Sequence, residues 1–377
     1  MQDGVRFAET EEEHRASYQL RYKVYVEGMG RLKTKGDHVR KELRDEYDET
    51  ARAVIAIKNG APIGTLRLFW GGDSPFTKTL IEAYHLAPFL ERLEEKQICV
   101  VERLMVDEKH RGSSATLRMY KEVMYFVLDH LAEVVLLDCQ PHHLNSYLKL
   151  GFRPFTKPFS YPGIGLVIPM ALITGDYEHL KRVGSPFAIL TREEALSHCC
   201  HVNELQEIIG QTANVTTHSE FNKTDFFEKI YADTNFLVNK KPKIFDDLNE
   251  SEISRVIEKS HIIQCSLGDC IIDKDSAGKT IFVVLSGMVE ILREGQLQAV
   301  ISPGEVIGEV SFFLGVPSSA NIVAATDNVR VLSLDDASMS HLLKFESTLA
   351  NKIYKNLCRS LCLRIITNGE PHQFSPS

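Results

Sequence analysis

The run Val100-Val101-Glu102-Arg103-Leu104-Met105-Val106-Asp107-Glu108-Lys109-His110-Arg111-Gly112-Ser113-Ser114-Ala115 decides the reading of the first half of the chain. Its opening is β-rich, and the pattern predicts a strand over Ile98–Val106. A basic loop with one glycine follows, and residues 114–131 carry apolar side chains at helical spacing. A helix start presents backbone N–H groups that no preceding turn satisfies, and its dipole adds partial positive charge. With Lys109, His110 and Arg111 beside it, this strand–loop–helix junction reads as a cradle for a phosphate-bearing ligand. The alternative is a solvated basic loop ahead of an ordinary helix.

Working outward, residues 53–57 and 63–68 flank Asn59-Gly60, the signature of a two-residue hairpin turn. Tyr18, Tyr22, Tyr25, Val26 and Met29 recur at helical spacing. Residues 134–137 read as a short buried strand, and 145–150 as a helix closing at Gly151. The order helix, strand, strand, strand, helix, strand, helix predicts an α/β layer on a mixed sheet. Residues 262–334 differ: short β-rich runs are punctuated by Gly268, Gly278, Gly287, Gly295, Gly304, Gly308 and Gly315, which predicts an all-β barrel or jelly roll. Helical patterns flank it at 250–259 and 342–366. The second carries an apolar stripe (Leu342, Leu349, Ile353, Leu357, Leu361) that packs on the barrel or on a second subunit, the latter giving a homodimer. The expected division is 1–185, a helical connector at 186–242 with helices at 192–209 and 223–231, and 243–370.

The chain has 377 residues and a formal net charge of -8. Residues 201–377 hold 16 basic and 23 acidic side chains, so neither the whole nor this half has the basic excess of a nucleic-acid binder. Only eleven residues follow Ile366, and on that count no helix-turn-helix reader is expected. The longest apolar stretch, 164–173, contains Gly165 and Pro169 and is too short for a membrane span of about 20 residues. Eight scattered cysteines and a start rich in glutamate (Glu11, Glu12, Glu13) read as reduced thiols in the cytoplasm. His198-Cys199-Cys200-His201 is one crowded cluster rather than two spaced pairs, so no metal site is expected.

Asn145-Ser146-Tyr147-Leu148-Lys149-Leu150-Gly151-Phe152 resembles the Tyr-x-Lys-x-Gly-Phe ending of the GNAT superfamily of N-acetyltransferases. Lys109-His110-Arg111-Gly112-Ser113-Ser114 is similar to its Gln/Arg-x-x-Gly-x-Gly/Ala loop, with Lys109 and Ser114 as departures. The resemblance covers about residues 1–185 and implies a GNAT fold. It also implies an acyl-CoA or acyl-carrier-protein donor held by Met105, Val106, Lys109, Arg111, Gly112, Ser113, Ser114 and Ala115. Arg21, Tyr25, Asp45, Asp48 and Arg67 resemble the pattern of the branch containing autoinducer synthases and N-acyl amino acid synthases. That branch keeps an acid where Val100 stands; here the acid is Glu102, beside Arg103.

Amide formation from a thioester needs a deprotonated amine and a protonated leaving thiol. Glu102 is the candidate base, through water, or else a carboxylate paired with Arg103 or Arg67. Tyr147 is the candidate acid, or else a packing aromatic. Arg21, Tyr25, Asp45, Asp48 and Arg67 are candidates for binding a small amine such as an amino acid, the charged four alternatively forming a structural ion network.

Residues 245–363 resemble a cyclic-nucleotide-binding domain through Leu285-Ser286-Gly287, Pro303-Gly304-Glu305, Ile307-Gly308-Glu309 and Pro317-Ser318-Ser319-Ala320. The resemblance implies a regulatory ligand at Gly308, Glu309, Val310, Ser311, Ser318 and Ser319. Ser318 stands where the family places its phosphate-binding arginine, and no Arg or Lys lies between Arg293 and Arg330. Cyclic AMP and cyclic GMP are therefore expected to bind weakly or not at all, because a buried phosphate without a charged partner is costly. The expected function is an N-acyltransferase with a C-terminal sensor. The alternatives are a non-catalytic sensing or scaffolding protein and a protein-lysine acetyltransferase.

Overall fold

Strongly apolar runs in the first half become strands buried on both faces, and the turns between them fall where the sequence places glycine and asparagine. The computed structural model describes residues 1–161, 163–191, 199–210, 214–217 and 241–369. It divides into two compact units: the described parts of 1–138, 146–156 and 169–211, and those of 139–145, 157–168 and 212–377.

In the first unit β1 (Gly4–Phe7) leads to α1 (Glu11–Arg21). A Thr10/Glu13 capping box and three acidic residues in the first turn fix its start. The helix continues as a widened π turn over Tyr22–Gly28, so the aromatic spacing was helical but of a looser pitch. The strands β2 (Arg52–Lys58) and β3 (Ala61–Trp70) form the hairpin expected at Asn59-Gly60, where both residues have positive φ (53° and 71°). Two short helices, α2 (Lys78–Ala83) and α3 (Ala87–Leu90), precede β4 (Ile98–Val106). Helix α4 (Ala115–Asp129) buries Met119, Tyr120, Val123, Met124, Phe126 and Val127. Next along the chain come β5 (Val134–Cys139), α5 (Leu144–Leu150), β6 (Arg153–Pro154), β7 (Phe159–Tyr161) and β8 (Gly165–Ile173), of which β7 and the start of β8 are assigned to the second unit. The apolar stretch at 164–173 is thus an inner strand, buried at all nine positions of β8.

The sheet order is β1-β2-β3-β4-β5-β8-β6. Strands β1 to β4 are antiparallel and β4 pairs with β5 in parallel, so the sheet is mixed. That parallel pairing spans Ile98–Val100 against Val134–Leu136, and no β4–β5 pair follows Val100↔Leu136.

Helices α6 (Tyr177–Arg182) and α7 (Val202–Gly210) complete this unit. Of the helix expected at 192–209, Val202 to Ile209 are helical and Cys199, Cys200 and His201 are not, while 192–198 lie outside the described residues. The helix expected at 223–231 also lies outside them.

The second unit holds β9 (Val215–Thr216), α8 (Glu250–Ile257), β10 (His261–Cys265), β11 (Cys270–Ile272), β12 (Thr280–Ser286), β13 (Val289–Arg293), β14 (Gln296–Ile301) and β15 (Val306–Ile307). Then follow α9 (Glu309–Leu314), β16 (Asn321–Ala324), β17 (Val329–Asp335), α10 (Asp336–Phe345) and α11 (Ser347–Gly369). Its strands form two sheets, β15-β12-β17-β10-β9 and β11-β16-β13-β14. The single helix expected over 342–366 is two, broken at Glu346, where the backbone leaves the helical region (φ -138°, ψ 50°). Leu342, Leu349, Ile353 and Leu357 enter the core of this unit beside Ile281, Val283 and Leu334. Among the described residues no helix is long and apolar enough to cross a membrane.

Candidate functional site

Glu102 lies just past the last β4–β5 pair, beside a bulge in the β3–β4 ladder between the pairs Thr65↔Met105 and Arg67↔Glu102. The bulge falls at Arg103, whose φ of 51° is strained for a residue with a Cβ. It gathers three arginines and three carboxylates. Arg21 donates from Nη1 to Asp48 Oδ1 at 2.5 Å. Arg67 donates from Nη1 to Asp45 Oδ1 at 2.6 Å, lies 3.0 Å from Asp48 Oδ1, and also bonds Glu102. Arg103 bonds Asp45 and stands 3.6 Å from Glu102. Arg21, Asp45, Asp48 and Arg67 thus form the ion network given as their alternative, and Glu102 joins it through Arg67.

Burial and neighbouring charge act differently on the members of this cluster. Burial lowers the Arg21 guanidinium below its ordinary value, with Asp48 opposing. Burial would also lower Arg67, but Glu102, Asp45 and Asp48 raise it. Burial would raise the Asp48 carboxyl, yet Arg21 and Arg67 hold it below the usual range. Arg21 Nε and Nη2 and Arg103 Nη1 are buried without a hydrogen-bond partner among the described residues. Such donors are costly unless a ligand or water meets them. Tyr25 packs beside this cluster, its phenol pushed up by burial with Arg103 opposing.

Two groups were missed in the sequence. Tyr84, at the end of α2, donates its hydroxyl to Glu102, so both Glu102 oxygens are engaged and a simple role as free base is not what its contacts describe. Asp138 lies on β5, two residues past the last paired position, Leu136, as Glu102 lies two past Val100. The period-two pattern after Leu136 was the available signal, but the β5 reading stopped at Leu137. Tyr147, on α5, is buried, and its hydroxyl accepts from Tyr120 at 3.2 Å.

The expected donor loop runs from Asp107 to α4. Lys109, Arg111, Gly112, Ser113 and Ser114 are exposed, while Met105 and Ala115 are buried. Met105 packs on Leu20 and Val24, so it offers a ligand its backbone rather than its side chain; Val106 is half-buried. Ser114 caps α4 without a side-chain hydrogen bond, and the Ala115 N–H donates to Ser113 Oγ at 3.3 Å. Gly112 adopts φ 76°, a left-handed turn that glycine reaches without strain. A cleft of about 320 Å³ beside the loop is lined by His110, Ser113 and Ser114 with Lys58 and Arg118, two cations the sequence reading did not include.

In the second unit Gly308 has φ 84°, and a Cβ there would meet the Thr280 carbonyl oxygen at 2.9 Å. Glu309, one of the residues implied for the regulatory ligand, is buried and accepts from Arg364 Nη1 of α11 at 2.6 Å. A buried carboxylate needs such a partner. Ser318 turns its hydroxyl onto the Ala320 carbonyl at 2.8 Å, and Ser319 accepts from Arg293 at 3.4 Å. Ser311 is buried and Val310 exposed. Both cations thus come from outside the segment that looked devoid of positive charge.

The family model described as N-acyl amino acid synthase FeeM matches residues 16–174, and that of the cyclic nucleotide-binding domain matches residues 263–344. The chain therefore carries an acyltransferase domain followed by a cyclic nucleotide-binding domain. Over 100 residues it is 28% identical to a cAMP-dependent protein kinase regulatory subunit of Yarrowia lipolytica (strain CLIB 122 / E 150), covering 26% of each chain. It spans about a quarter or less of the length of the curated relatives it matches. Among solved structures, a cyclic nucleotide-binding domain from Methylobacillus flagellatus KT is similar at 22% identity, 40% of this chain, 88% of that chain and a TM-score of 0.32. The CoA-dependent acyl-homoserine lactone synthase BjaI is similar at 19% identity, 47% of this chain, 84% of that chain and a TM-score of 0.36.

Proposed function

We propose that the first half, a GNAT-type fold, moves an acyl group from an acyl-CoA or acyl-carrier-protein thioester to the primary amine of an amino acid. The observation that carries this reading is the set of unpaired donors on Arg21 and Arg103 inside a cluster whose three carboxylates are all occupied. A carboxylate-bearing acceptor meets those donors, where a bare alkylamine would leave them unsatisfied. The donor's phosphates lie along residues 109–115, where the α4 amides and nearby cations favour anions. Its thioester enters beside the end of the β4–β5 pairing. Nitrogen attacks the carbonyl carbon, the C–S bond breaks, and Tyr147 supplies a proton to the leaving sulfur. The second unit acts as a regulatory sensor in which cyclic AMP and cyclic GMP bind weakly. Eight free cysteines fit a reducing cytoplasm.

The test is to incubate the full chain with acyl-CoA and acyl-carrier thioesters and a panel of amino acids and simple amines, following free thiol. Amino-acid-dependent release supports the reading. Release with alkylamines but not amino acids, or with none, overturns it.

A further inference from the structure

Asp138 lies two positions past the last β4–β5 pair, and no arginine of the cluster occupies its carboxylate. Its Oδ1 is buried and has no hydrogen-bond partner among the described residues. Alternation along the two strands puts Asp138 on the face of β5 that Leu136 occupies and Glu102 on the face of β4 that Val100 occupies, and Val100 and Leu136 are the last pair between the two strands. The groups around Asp138 are Glu102 of β4, whose charge opposes its ionisation, and Tyr84 at the end of α2, whose phenol is pushed well up by burial, Glu102 and Asp138. Arg67 is held on Glu102 rather than on Asp138.

We propose that Asp138 is the proton acceptor for the incoming amine and holds its ammonium before transfer; this rests on the acyltransfer reading above. The ammonium gives one proton to the Asp138 carboxylate, and the freed lone pair attacks the thioester carbon. The C–N bond forms and the C–S bond breaks. The second nitrogen proton replaces the one that Tyr147 gives to sulfur, and Asp138 returns its proton to solvent after the amide leaves. A base is most effective when its pKa lies near the working pH. Burial, then Glu102, pushes Asp138 up to about 7. Asp45, Asp48 and Glu102 are all held by arginines, which suits them to fixing the site.

The experiment compares wild type, Asp138→Asn and Asp138→Glu, using the acyl-CoA and amino acid that wild type turns over best. Asp138→Asn should lose on the order of 10²-fold or more in kcat at pH 7, with donor affinity unchanged. The acidic limb of the wild-type profile of kcat/KM should vanish, and Asp138→Glu should regain part of the rate and of the limb. A merely structural role would lower the rate and leave the limb in place, overturning the proposal; so would activity within a few-fold of wild type. Absence of amino-acid-dependent thiol release by wild type itself would instead sink the underlying acyltransfer reading.

Discussion

Deleting the Arg67 cation while keeping an apolar stem, Arg67→Met, removes the side chain that touches all three carboxylates of the cluster. Arg67 is 2% exposed. Without it Asp48 retains Arg21, Asp45 retains Arg103, and Glu102 retains Arg103 at 3.6 Å and Tyr84. Two cations then face three buried or half-buried carboxylates. Removing one partner of a buried ion pair costs about 3–5 kcal/mol, because the remaining charge is left without compensation. At about 2–4 °C per kcal/mol for a domain of this size, the transition of the first unit should fall by about 6–20 °C. Calorimetric scanning of wild type and variant reads this directly. The exposed Lys41–Glu27 pair is the control, and Lys41→Ala should leave the transition in place. The penalty should also depend on pH. The Asp48 carboxyl is depressed in the folded state, so its stabilisation is present above the unfolded value of about 3.9 and lost as pH falls through the folded value. The gap between wild type and Arg67→Met should therefore narrow as pH is lowered below about 4. A shift under about 2 °C at neutral pH would refute the view that Arg67 organises the cluster.

Gly112→Pro should abolish measurable coenzyme A binding in calorimetry, because proline removes an N–H and cannot reach φ 76°; unchanged affinity in a folded variant would clear the loop of that role. Tyr147→Phe should lower turnover by on the order of 10²-fold with little change in donor affinity, and a rate within a few-fold of wild type would reduce Tyr147 to a packing partner of Tyr120. Wild type should bind cyclic AMP weakly, and Ser318→Arg should tighten it by about ten- to a few hundred-fold; a sub-micromolar wild-type constant would contradict the reading of Ser318.

Local signals carried well where the chemistry is local. The strand Ile98–Val106, the Asn59-Gly60 hairpin and the helix after the basic loop are each set by residues within a few positions of one another. The run at 164–173 shows the limit: its residues exclude a membrane span, but its place as an inner strand depends on distant partners. The same holds for the site. The family resemblance pointed to Arg21, Asp45, Asp48 and Arg67 as one set, with Glu102 apart from it, yet no motif reveals which guanidinium N–H groups remain unmet. Asp138 is inconspicuous in the sequence because its importance comes from a missing partner. Arg364 reaches Glu309 across 55 positions, so the residues flanking Glu309 in sequence do not reveal its cation.

The most direct measurement is mass spectrometry of the product formed by the full chain from an acyl-CoA and an isotope-labelled amino-acid mixture, with thiol counted in parallel. A labelled N-acyl amino acid is expected, its mass that of acyl acid plus amino acid less water, in one-to-one ratio with released thiol. Thiol release accompanied only by free fatty acid, or no release with any donor, would contradict acyl transfer to an amino acid.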